Sequence, residues 1–152
     1  MLQDLDRWNR QQLATIPVAK TLATGHRAYA SLARAYGLEE LPLVDGISSS
    51  DSLRPQAFQA VLADLQKTKV PMLFAEQQPA SKALQRISSL SGVPLAPAPL
   101  VADGLAKSSA GSGSSTLVAT LTANTCLIVD GLGGRCNQAG GASLGQRWQA
   151  IR

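Results

Sequence analysis

His26, Glu76 and Asp103 carry side chains that can ligate divalent cations, and each stands just behind a short apolar run. His26 follows residues 20–24, Glu76 follows residues 70–75, and Asp103 follows residues 93–96 after a turn through Pro97, Ala98 and Pro99. A neutral imidazole is a normal metal donor near pH 7, and carboxylates add oxygen donors to such a site. Each residue also has a plainer use. A lone histidine is usually structural or solvent-exposed. An Asp before Gly104 forms turns. A carboxylate at a strand end pairs with an arginine or caps a helix. Cys126 and Cys136 allow a structural disulfide, with Gly133 and Gly134 bending the chain back, or two free thiols, one of them buried as a small hydrophobe. Zinc ligation by this pair lacks a second Cys or His at ligand spacing.

Other chemistries find less support. Gly111, Ser112, Gly113, Ser114 and Ser115 precede a helical pattern, but no Lys-Ser/Thr follows as a phosphate loop requires. The turn at Thr24, Gly25 and His26 has one glycine where a dinucleotide fingerprint has three. No nucleophile elbow, Ser-His-Asp order or Cys-His dyad stands out. The formal charge is +4, yet the basic residues are dispersed rather than clustered into the patch that nucleic acid demands. No nucleic-acid partner is expected.

The 152 residues suit one domain, and 45% hydrophobic with 16% charged residues is ordinary for a folded chain. Aromatics make up 4%, so Leu, Ile, Val and Ala must build the core. No apolar run approaches the roughly 18–20 residues that span a bilayer. Residues 2–16 read as a helix ended by Pro17. Strands are expected at 20–24, 41–44, 70–75 and 93–96. Helices are expected from about His26 to Gly37, from Pro55 through Leu65, from about Ala80 to Gly92, and from about Ser115 to Leu132. Strands alternating with helices indicate parallel βαβ units. The expected fold is therefore α/β, a Rossmann-like lobe with a small parallel sheet of about four strands flanked by helices. Ligands collect at the carboxyl ends of such strands, which would bring His26, Glu76 and Asp103 to one edge.

Five segments, in order, resemble the zinc/manganese-type periplasmic substrate-binding proteins of metal ABC transporters. LDRWNRQQLATIP and LATGHRAYASLARAYGL are similar to that family's linker helix and the ligand-opened helix after it. GISSSDSLRPQAFQAVLADLQKTKVPMLFAEQQ resembles its Ser-rich loop, helix and strand ending in Glu. PLVADGLA resembles the segment bearing an Asp ligand, and LVATLTANTCLIVDGL the closing helix. The resemblance covers residues 4 to about 136. It implies a linker helix at 1–18, a C-terminal metal-binding lobe at 19–136 and a flexible tail at 137–152, with Trp8 packed between lobes in the complete protein.

The resemblance further implies a binding protein and not an enzyme. Such a protein captures metal between two lobes in the periplasm and hands it to a membrane permease. His26 and Asp103 would be this lobe's ligands, and Glu76 a carboxylate orienting His26 through its other ring nitrogen. A missing N-terminal lobe would supply two further His ligands. In an oxidising periplasm the cysteines would pair. A His at position 26 leans toward Zn²⁺, with Mn²⁺ the alternative. The sequence carries no signal peptide at its start. Two other readings stand beside this one: a stand-alone α/β partner-binding domain docking through Leu2 and Trp8, and a small nucleotide-binding enzyme.

Overall fold

The computed structural model describes residues 2–17, 20–45, 55–105 and 116–149, excluding the side chains of residues 55–57 and 149. Most of the Ser-rich loop after Asp45 and the loop at 107–115 lie outside these residues. The chain forms two compact units, residues 1–17 with 101–152, and residues 18–100. These bounds do not coincide with divisions at 18/19 and 136/137.

The second unit is the α/β part. Its elements are β1 (Thr21–Thr24), α2 (Ala30–Tyr36), β2 (Glu39–Pro42), α3 (Pro55–Thr68), β3 (Leu73–Phe74) and α4 (Lys82–Ser91), and α1 (Leu2–Leu13) precedes them in the other unit. The sheet is parallel, in the order β2-β1-β3. It has three strands rather than four. Residues 93–96 contribute a single parallel bridge, Leu73 to Leu95, held by Leu73 N–H to Pro94 O at 2.9 Å and Ala96 N–H to Leu73 O at 2.8 Å. Pro94 has no N–H to donate, and Pro97 ends any continuation. Every residue of β1 is buried, which a central parallel strand covered on both faces requires. Leu43, Phe58, Leu65, Leu84 and Ile87 close the core around it.

Glycine ends two of these helices. Gly37 and Gly92 take left-handed conformations, φ 69° and 73°, and return their N–H groups to Ala33 O and Ser88 O. Ser81 caps α4 by accepting the Leu84 N–H at 3.2 Å. Helix α2 begins at Ala30, four residues later than the periodicity suggests, because residues 26–29 form a separately braced turn.

The first unit packs α1 with α5 (Leu117–Gly131) and α6 (Gln138–Gln149). Its core is Leu5, Trp8, Val118 and Leu144, with Leu121, Cys126, Cys136 and Trp148 packed against it. The expectation of a frayed tail from residue 137 gives way to helix α6, and Trp8 is 7% exposed. The glycines that look like tail composition are sites of close approach. A Cβ on Gly140 would lie 2.9 Å from Trp8 Nε1, and one on Gly141 would lie 3.1 Å from Trp8 Cζ2.

Polar bonds tie α1 to the far end of the unit. Thr125 Oγ1 donates to Asn9 Oδ1 at 2.9 Å, Asn137 N–H to Gln12 Oε1 at 2.7 Å, and Arg135 N–H to Thr15 Oγ1 at 3.1 Å. Cys126 and Cys136 form a disulfide across ten residues, with Cα atoms 5.1 Å apart. Closing a loop of that length restricts the unfolded chain by about 2–3 kcal/mol. Replacing both cysteines by alanine should therefore lower unfolding stability by about that amount, read as a lower urea midpoint with a steeper slope, because the uncrosslinked unfolded chain exposes more surface.

Candidate metal centre

The β1 strand runs into a tight turn. The ladder continues past its last residue on both sides: Gly25 N–H donates to Phe74 O at 3.2 Å, and Val44 N–H donates to Gly25 O at 2.8 Å. Thr24 is fully buried, and its Oγ1 donates to His26 O at 2.9 Å.

The next four backbone N–H groups all go to carboxylates. His26 N–H donates to Glu76 Oε1 at 2.9 Å and Arg27 N–H to Asp45 Oδ2 at 3.0 Å. Ala28 and Tyr29 N–H both donate to Glu40 Oε1, at 2.9 and 2.7 Å. These carboxylates come from three places on the sheet: within β2, just after β2, and just after β3. Hydrogen bonds to ionised acceptors are roughly twice as strong as neutral ones, so the turn is fixed by the sheet rather than by helix α2.

His26 stands at the head of this turn with its side chain 61% exposed, and its Nδ1 lies 3.3 Å from Asp45 Oδ1. Arg27 Nε is 4.0 Å from Asp45 Oδ2. Among the described residues, Nε2 of His26 has no partner. Glu76 meets His26, as the carboxyl-edge rule suggests, but on its backbone; the carboxylate facing the ring is Asp45. That residue also follows a strand, β2, so the same carboxyl-edge rule applies to it.

Asp103 belongs to the other unit. It is exposed in a turn ahead of Gly104, whose φ is 83°. Two residues earlier the chain is held by the buried Asn124 of α5. Asn124 Oδ1 accepts from Val101 N–H at 3.0 Å, and its Nδ2 donates to Val101 O at 2.9 Å. Among the described residues, no group of three or more His, Cys, Asp and Glu side chains is gathered to hold a metal ion. One imidazole nitrogen with flanking carboxylates suits zinc or manganese as part of a donor set.

Residues 1–131 match the family model described as zinc-uptake complex component A, periplasmic. The chain belongs to this family. Its fold also matches solved structures. Fe(III)-bound YtgA from Chlamydia trachomatis is 24% identical with a TM-score of 0.67, over 88% of this chain and 49% of that one. The periplasmic zinc binding protein TroA from Treponema pallidum is 23% identical with a TM-score of 0.66, over 86% and 48%. A Zn(II)-bound mutant variant of AdcAII from Streptococcus pneumoniae is 22% identical with a TM-score of 0.65, over 86% and 45%. This family member thus spans about half the length of those structures.

The braced turn and the Asn124 clamp each generate a test. A Cβ on Gly25 would lie 2.6 Å from Glu76 Oε2 and 3.4 Å from Oε1, so Gly25→Ala should force the carboxylate to shift and weaken its bond to the His26 amide. Losing a hydrogen bond to a charged group should cost about 1.5–3 kcal/mol. Glu76→Ala should cost a similar amount, and the double variant clearly less than the sum, in a thermodynamic cycle by chemical denaturation. Asn124→Ala should cost about 2 kcal/mol for two lost bonds and raise hydrogen exchange at the Val101 amide.

Proposed function

We propose that this chain is the C-terminal half of a periplasmic metal receptor that captures Zn²⁺ and passes it to an ABC permease. Membership of the zinc-uptake family carries this reading. His26 supports it, because its ring is exposed at the carboxyl edge of the sheet while its backbone is held by Glu76. His26 supplies one donor and Asp103 a second. A four-coordinate site requires about four, and a further lobe with two histidines supplies the rest. An imidazole at position 26 favours Zn²⁺ over Mn²⁺. Capture and release proceed by ligand exchange without covalent chemistry, so the protein is a receptor and not an enzyme.

Two other readings lose ground. A nucleotide phosphate would need free amides at the first βα turn, and those of residues 26–29 are already donated to carboxylates. Docking of another chain on the Leu2–Trp8 face loses its aromatic anchor, because Trp8 is buried within its own unit.

A half-site should bind zinc weakly. Titration of this chain against a competing chromophoric chelator should give an affinity of micromolar or weaker, and His26→Ala should remove it. Nanomolar binding by the monomer would overturn the half-site account. The coding DNA upstream of Met1 should encode, in frame, a signal peptide and a lobe with two histidines. A stop codon and ribosome-binding site there would count against a two-lobe receptor.

A further inference from the structure

We infer that Asp45 is the positioning residue of this centre, holding the His26 imidazole with its proton on Nδ1 so that Nε2 is the nitrogen offered to a metal. This role presupposes His26 as a metal donor and adds the choice of nitrogen and the residue that makes it. Asp45 divides its two oxygens. Oδ1 lies 3.3 Å from His26 Nδ1, and Oδ2 accepts the Arg27 N–H at 3.0 Å. The backbone bond anchors the carboxylate, so it cannot swing from the ring without losing an amide.

The other nearby carboxylates contact the backbone of the turn rather than the ring. Glu76 Oε1 takes the His26 amide, and Glu40 Oε1 takes the amides of Ala28 and Tyr29. The neighbouring cation, Arg27, has its Nε 4.0 Å from Asp45 Oδ2, the oxygen that does not face the ring. An ionised carboxylate only accepts hydrogen bonds, so Nδ1 must be the donor. A neutral ring protonated at Nδ1 carries its lone pair on Nε2. Such carboxylate partners fix both tautomer and ring orientation in metal sites, and their loss typically lowers metal affinity about 10–100-fold.

His26 is the single histidine of the chain, so imidazole ¹⁵N spectra of the intact chain report on it alone. With neutral imidazole and no metal, the wild type should show the Nδ1–H pattern. Asp45→Ala should shift the ring toward a mixture of tautomers, and Asp45→Asn, which keeps an acceptor oxygen, should largely preserve the wild-type pattern. In Zn²⁺ titrations followed by the same signals, Asp45→Ala should raise the apparent dissociation constant about 10–100-fold, with Asp45→Asn in between. Wild-type ring signals in Asp45→Ala would overturn the role assigned to Asp45, whatever the zinc affinity. If a chelator titration shows His26→Ala binding zinc as the wild type does, the metal-donor reading fails instead. The metal-free ring signals decide the role of Asp45 in either case.

Discussion

Four consecutive backbone N–H groups after β1 have no helix or strand to satisfy them, and three carboxylates from neighbouring strands take them all. This accounting is what the α/β unit depends on at its ligand edge. The Tyr29 amide is half-buried and would cost about 1–3 kcal/mol if left unpaired, while the three exposed amides before it gain order from charged acceptors. With the carboxylates in place, the turn acquires one geometry, and His26 is displayed from it without needing a packed side chain of its own. The same carboxylates place negative charge around an exposed imidazole, a suitable field for a cation and a poor one for a phosphate.

The other unit solves a related problem differently. Its loop-to-helix junctions are held mostly by neutral side chains, Asn124 on Val101, Gln12 on Asn137 and Thr15 on Arg135, with one carboxylate, Asp130, on the Cys136 amide. Asn9, Gln12 and Asn124 are all at least nine-tenths buried. Gln12 and Asn124 fasten backbone that no regular element supports, Asn9 accepts from the Thr125 hydroxyl, and the disulfide fastens the junction between α5 and α6 covalently. Asp103 lies two positions beyond the Asn124 clamp on Val101.

Much of this was legible in the residues. Alternating apolar runs marked the parallel βαβ order. Gly37 and Gly92 marked helix ends, and the carboxyl-edge rule led to His26 and Glu76. What escaped depends on contacts between distant residues. Residues 93–96 look like a strand by apolarity, but Pro94 and Pro97 reduce them to one bridge. Nothing local singles out Glu40 and Asp45, because their importance lies in amides 11 to 18 residues away. The segment after residue 137 looks frayed by composition, since nothing local announces that Trp8 will lie against its glycines.

That last contact sets how α6 comes to exist. Gly140, Gly141 and Gly145 each cost a helix about 1 kcal/mol relative to alanine, and twelve residues are marginal for an isolated helix in water. Helix α6 therefore has no independent life. It is ordered by packing on α5 and on the indole it covers, and the indole is kept dry by the helix it orders. Formation of the two is one cooperative event, so helix α6 and the buried environment of Trp8 are gained and lost together.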